Sequence, residues 1–496
     1  MKSFLIRLFK RIFSLRTLKR FLCVALVLFT LLVLAYTIEN FRGAKSWQRA
    51  RADLEANGTR LDLADHLHPA VPDEENFCAI PLLRDWTQLS DMVLIKRFLI
   101  PEYPERTNPV ATGESTDLEA WRAMLAEVLG SSVSMPHTSN AAADILEGLK
   151  EYDPVFGQLA EGLDRPHAVF APGQEMSLQE TKRRAFPFDP RWETIRTLTR
   201  VLQLRADAAA QNGDTEKAIE SLRLLARLAE ASGPRMPFWG NPQVLAMKSG
   251  TWELLTRRLA TAAQLRTLEA NLSQVRLQDS LLSAMKVELV MATDFFELAK
   301  TTSVFELFGI PETAHPKIDL FALYPNGWWD QEKAVYTNRL QEHFLSPVAR
   351  GDFKKIFSTA NEPARESGRV FWRLKPLRFG TLPLFSVFFS KAMAFELASH
   401  ESLLRQMLTA SALERYYLSH GDYPESLDSL APAFLPSIPL DLVDQNPMRY
   451  RKTVDGRYLL YSIGFDLTDD NGKVHPDGRN NSWDSGYDWV WRYSVE

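Results

Sequence analysis

Apolar and polar positions along this chain follow three different rhythms. From Phe21 to Ile38, "FLCVALVLFTLLVLAYTI" runs for eighteen residues without a charge, about the length that crosses a hydrocarbon core as a helix. From Leu118 onward the apolar residues recur mostly at three and four, the helical spacing. Beyond Met448 they alternate, as strands facing one core do.

The helical stretch predicts helices over Leu118 to Ala160, Pro242 to Ala260, Leu265 to Leu272 and Leu277 to Ala299. Gly162 to Trp192 is proline-rich and reads as a long packed loop. The best-formed unit is "LTRVLQLRADAAAQNGDTEKAIESLRLLARLAEASG". Leu202, Ala206 and Ala209 share a face of a helix ending at Gly213. Asp214 caps the next helix, whose Ala218, Leu222 and Leu225 face back. Its turn is short enough for an antiparallel hairpin. The small residues around "NGD" make it resemble one tetratricopeptide-type repeat, with no second copy at a fixed period.

Leu403, Met407, Ala410, Leu413 and Tyr417 give a long C-terminal helix one apolar stripe, stopped by Gly421. The segment before it, Gly380 to Ser390, is apolar but too short to span a bilayer and reads as buried. "RYRKTVDGRYLLYSIGFD" predicts two strands joined at Asp455-Gly456. "GYDWVWRYSV" predicts a third, with Tyr487, Trp489, Trp491 and Tyr493 on one face. The fold expected is mainly α, a helical-hairpin body, with a C-terminal α+β part in which a long helix packs on a small antiparallel sheet.

Charge orients this layout. The first 20 residues carry seven Lys and Arg and no acid, which places the N-terminus in the cytoplasm and the chain after Glu39 across the membrane. A cleaved signal peptide is the competing reading, with small residues at Val33 to Ala35, but the apolar run is longer than such peptides carry. The division expected is a basic cytoplasmic segment (1–20), a transmembrane anchor (21–38), a juxtamembrane helix and linker (39–76), a helical body (77–380) and a terminal domain (381–496). The helix after the span, Arg42 to Asn57, is expected to end at Gly58 and to lift the body off the membrane. Of two cysteines, Cys23 lies in the span. Cys78 is then alone outside it, and no disulfide framework forms, which suits a bacterial periplasm.

A net charge of -4 offers no electrostatic case for nucleic acid. Metalloprotease, nucleophile-elbow, P-loop and dinucleotide motifs are absent from the sequence. His66 and His68 read as solvated loop residues before they read as metal ligands. Trp328 and Trp329, beside a turn, read as core unless exposed, in which case they mark a binding surface.

From Lys391 onward, "ALERYYLSHGDYP", "SIPLD", "MRYR" and "YSIGFD" resemble the globular part of the major pseudopilins of type II secretion. The resemblance implies calcium in the loop after the last motif, with Asp466, Asp469, Asp470 and Asp488 as ligands. Hard oxygen donors of that kind suit calcium, although the loop is not an EF-hand. The pseudopilin leader, with its processing-site Gly and early Glu, is not seen at Phe21 to Ile38. The whole layout is also similar to a group of bacterial single-pass, membrane-anchored proteins without an assigned function. The function expected is a membrane-tethered, non-enzymatic scaffold that binds the bilayer through 21–38 and an unidentified protein partner. An accessory part of a type II secretion or pilus-like system, and a carboxylate-based hydrolase, are the alternatives.

Overall fold

A computed structural model describes residues 15–66, 71–84, 109–129, 135–169, 191–231, 242–307, 313, 320–360, 381–476 and 486–493. His68, most of the 162–192 loop, the side chains of 381–390 and part of the basic segment lie outside the described residues.

The fold is mainly helical. Helix α1 is Leu15–Ala56, 42 residues. Further along the chain come α2 (Leu118–Leu129), α3 (Ala141–Gly148), α4 (Asp153–Ala160), α5 (Arg191–Gln211), α6 (Thr215–Ala231), α7 (Pro242–Thr256) and α8 (Ala262–Leu272). Next are α9 (Leu277–Leu298), α10 (Asn326–Leu340), α11 (Phe353–Ala360) and the 40-residue α12 (Thr381–His420). Strands β1 (Arg449–Lys452), β2 (Tyr458–Ser462) and β3 (Trp489–Arg492) form an antiparallel sheet in that order.

Helix α1 contains a stretch long and apolar enough to cross a membrane, and none of that stretch is covered by the rest of the chain. Within it the hydroxyls of Thr30 and Thr37 donate to the carbonyls of Leu26 and Val33. Polar groups at membrane depth need such internal partners. The apolar stretch and the helix that follows it are one continuous element. It ends as expected before Gly58, which sits at φ +79°.

Helices α5 and α6 form the expected hairpin. Gly213 adopts φ +80°, the Asp214 amide closes the turn onto the Ala209 carbonyl at 2.8 Å, and the Asp214 carboxylate accepts from the Lys217 amide at 3.1 Å. Helix α7 packs across both, and Gly250 allows the close approach: a Cβ there would lie 2.9 Å from that of Ala206. Thr261 and Gln264 make a reciprocal capping box that starts α8 three residues before the apolar spacing predicts.

One apolar core runs from Leu54 through the α5–α7 layer and α12 to Trp489, Trp491 and Tyr493, so body and terminal segment share a single interior. Trp252 of α7 donates from Nε1 to the Arg492 carbonyl of β3 at 2.7 Å. Gln406 of α12 donates to the Trp489 carbonyl at 2.7 Å. The β1–β2 hairpin turns at Gly456, φ +75°, with Tyr450 opposite Leu460. Strand β2 is buried throughout. Leu460 faces the main core, while Leu459 and Tyr461 meet Val490 on the other face.

Candidate functional site

The four aspartates nominated as metal ligands lie in one loop folded over that outer face. Gly472, at φ +78°, presses onto Leu459 and Tyr461 so closely that no Cβ fits. What holds the loop there is hydrogen bonding from its own amides. Asp488 accepts from the Gly472 amide at 2.7 Å and the Asp470 amide at 3.3 Å. Asp466 accepts from the amides of Thr468, at 3.0 Å, and Gly486, at 2.7 Å. Asp469 accepts from the Asn471 amide and the Tyr461 hydroxyl, and its second oxygen lies 3.5 Å from Arg449 Nε. The Oδ2 of Asp470 is buried without a hydrogen-bond partner. Burial holds the Asp488 carboxyl up at about 6 against its loop hydrogen bonds, with Asp469 and Asp470 adding to the rise.

As placed, the carboxylates of Asp466, Asp469 and Asp488 are engaged by donors of the loop and sheet, and Asp470 Oδ2 is not. A carboxylate offers about four lone-pair sites, so these loop hydrogen bonds take up part of the acceptor capacity and leave the rest. Among the described residues no group of three or more His, Cys, Asp or Glu is set to hold a metal ion. His66 donates from Nε2 to the Arg60 carbonyl, 2.6 Å away.

Asp441, which ends the "SIPLD" segment, is the buried anchor of the terminal fold. It is fully buried. It accepts from the amides of Val443 and Ile463, both at 3.0 Å, from the Ser462 hydroxyl at 2.8 Å and from Arg449 at 3.2 Å. Arg449 also pairs with Asp444 at 2.7 Å. Three of the segments that carry the pseudopilin resemblance, around Asp441, Arg449 and Ser462, therefore meet at one buried charge. Nearby, Glu414 of α12 accepts from the Tyr423 hydroxyl at 2.7 Å and lies 3.5 Å from Arg258.

A pair of buried carboxylates occurs in the body. Glu253 of α7 accepts from the Thr116 amide at 2.8 Å, Gln211 at 2.9 Å and Arg257 at 2.9 Å. Asp207 of α5 is held well above the usual carboxylate range by burial and by Glu253. Both side chains are inaccessible, and their partners tie the 115–117 turn to the helical layer.

The most developed polar arrangement lies where α1 leaves the span. Tyr36, Glu39, Gly43, Trp47, Ala50 and Leu54 recur at three and four along one face, and the residues of that face from Gly43 onward pack on the rest of the chain. The N-terminus of α10 follows Pro325 and has no cap of its own. Helix α1 supplies one. Asn40 Oδ1 accepts from the Gly327 amide at 2.8 Å, and Glu39 accepts from Trp328 Nε1 and Gln331, both at 3.1 Å. The Glu39 carboxylate thereby faces the positive end of the α10 dipole.

Gly43 and Gly327 make this crossing possible. A Cβ on Gly43 would lie 2.6 Å from the Gly327 carbonyl carbon, and one on Gly327 2.5 Å from Asn40 Cα. One turn further on, buried Lys333 sits 4.2 Å from the Trp47 ring centre, paired with Glu297 and 3.4 Å from Asp330. Burial pulls the Lys333 amine down to about 8. Trp329 is buried, packed with Phe296 and Leu307, whereas Trp328 is half-buried beside Tyr324. The part of α1 from Tyr36 onward therefore packs on the body, because the small residues at the crossing let two backbones touch.

No protein family, curated protein or solved structure matches the chain.

Proposed function

We propose that the protein is a membrane-tethered, non-enzymatic scaffold. It is fixed by residues 21–38 in a bacterial inner membrane, with its N-terminus in the cytoplasm and its bulk on the extracytoplasmic side, and it presents its helical body to a protein partner. One observation carries the reading. The helix that is apolar enough to span also caps and crosses α10 through Asn40, Glu39 and the Gly43–Gly327 contact. A tether that only retained a soluble body would need no such joint. A scaffold that must hold a surface at one height and orientation does.

The buried carboxylates favour this over hydrolysis. Glu253 has its oxygens taken by protein donors and Asp207 is sealed from solvent, whereas a hydrolytic pair must reach substrate and water. For the acidic loop the proposal is structural, with Asp466, Asp469 and Asp488 holding a cover over the sheet. A second reading, as an accessory of a secretion or pilus-like system, draws support from the terminal order of a 40-residue helix followed by three antiparallel strands.

The test is site-specific photo-crosslinking of the full chain in its native membrane, from exposed body positions such as Glu216 and Arg266. Discrete adducts that vanish when Gly43→Val opens the joint are expected. Turnover of a substrate that Glu253→Gln abolishes in a folded protein would overturn the reading in favour of an enzyme.

A further inference from the structure

The segment that meets the end of the span carries more information than the joint requires. The apolar run from Phe21 to Ile38 is eighteen residues, which at about 1.5 Å per residue is close to the roughly 30 Å of a hydrocarbon core. Tyr36 to Ile38 therefore lie at its far boundary. Side chains on a helix lean toward its N-terminus, so the Tyr36 hydroxyl lies at or below that level. This hydroxyl donates to the carbonyl of Leu323. From there the chain climbs α1, since Gly327 meets Asn40 and Trp328 meets Glu39. Leu323 is thus level with the last turn of the span, and its side chain is 61% exposed.

On the basis of the anchor reading above, we infer that the segment Phe321 to Trp328 is a second membrane contact, with Leu323 inserted at the hydrocarbon boundary of the outer leaflet. Two independent features support it. The Leu323 carbonyl is a backbone acceptor at a depth where water is scarce, and Tyr36 satisfies it, as a group in lipid requires. Around it Phe321, Tyr324 and Trp328 form a connected aromatic cluster, with centroids 5.5 Å apart for Phe321 and Tyr324 and 5.0 Å for Tyr324 and Trp328. Tyr324 and Trp328, half-buried aromatics with polar tips, are of the kind that settle at headgroup level. A lone exposed leucine on a water-facing surface needs no explanation. At this height beside the span, lipid is what surrounds it. The body is therefore held at the bilayer by two points, the span and this segment, which removes rotation about the α1 axis.

The experiment uses the full chain, with Cys23 and Cys78 replaced by alanine, in vesicles of phosphatidylethanolamine and phosphatidylglycerol. Single spin labels are placed through Phe29→Cys in mid-span, Leu323→Cys, and Val454→Cys at the exposed hairpin tip. Collision with oxygen and with a water-soluble nickel chelate reports depth. The expected result is loss of nickel collisions at 323 relative to 454, with oxygen access approaching that at 29. If 323 collides with nickel as 454 does while 29 reads as lipid, the anchor stands and the second contact is refuted. If 29 itself reads as aqueous, the anchor reading fails and takes the second contact with it.

Discussion

Replacing Gly43 by alanine tests the joint between span and body at its tightest point. The added Cβ would stand 2.6 Å from the Gly327 carbonyl carbon, where ordinary carbon contacts are about 3.5–4.0 Å. Its neighbours are backbone atoms of a helix, which cannot swing aside, so α1 and α10 must part by roughly 1 Å. Overpacking of this kind costs about 1–3 kcal/mol. Separation also stretches the Gly327 amide to Asn40 bond and the Trp328 to Glu39 bond, each contributing about 1 kcal/mol. The joint should weaken by about 3–5 kcal/mol, the overpacking cost plus the two hydrogen bonds. Hydrogen exchange of the full chain in lipid nanodiscs reads this directly at Gly327. Its protection should fall by roughly a hundredfold or more, at about 1.4 kcal/mol per factor of ten. Unchanged exchange at Gly327 in Gly43→Ala would refute the close crossing. Gly157→Ala in α4 is the control, because a Cβ there meets nothing within 4 Å, and it should stabilise by about 0.5–1 kcal/mol.

Other outcomes follow from the buried charges. The folded Asp488 carboxyl is raised by burial to about 6 from its ordinary 3.8, so the folded state binds the extra proton. Its contribution to stability is therefore present below about pH 4 and lost as pH rises through about 6. Asp488→Asn should flatten that part of a thermal-stability profile. His400 behaves in the opposite sense. Burial lowers it to about 4, so its contribution is present above its ordinary 6.5 and lost as pH falls through about 4, and His400→Gln should weaken the acid-side decline. Tyr423→Phe removes the hydroxyl donor of buried Glu414 and should lower stability by about 1–3 kcal/mol in chemical denaturation. Thermal unfolding with calcium and with chelator should give the same midpoint for wild type and Asp466→Ala. A calcium-dependent rise that the variant loses would restore the loop as a cation site.

What the sequence reveals here is local. The uncharged run of 21–38, the α5–α6 hairpin with its Gly213-Asp214 turn, the Asp455-Gly456 hairpin and the inward face of Trp489, Trp491 and Tyr493 are each written within a few tens of residues. Their periodicity needs no partner to be read. The joint is different. Tyr36 and Leu323, like Asn40 and Gly327, stand 287 positions apart. Gly43 alone looks like a weak helix position and Gly327 like a turn, and only their meeting explains both. The face repeating from Tyr36 to Leu54 was a usable signal that α1 packs on something, though not on what. Asp441, Asp207 and Glu253 were hidden for the same reason: an acid in a turn or on a helix looks solvated until the fold buries it beside donors from elsewhere. The acidic loop was located correctly as a cluster, but spacing could not show that loop amides occupy its carboxylates.

The central claim is that the body is held at one position relative to the apolar N-terminal helix. Electron–electron double resonance between labels at Arg49 of α1 and Leu418 of α12, both exposed, measures it in the full chain in nanodiscs. A single narrow distance distribution, broadened by Gly43→Val, is the predicted result. A broad distribution in the unmodified joint would contradict the claim and leave α1 a flexible leash.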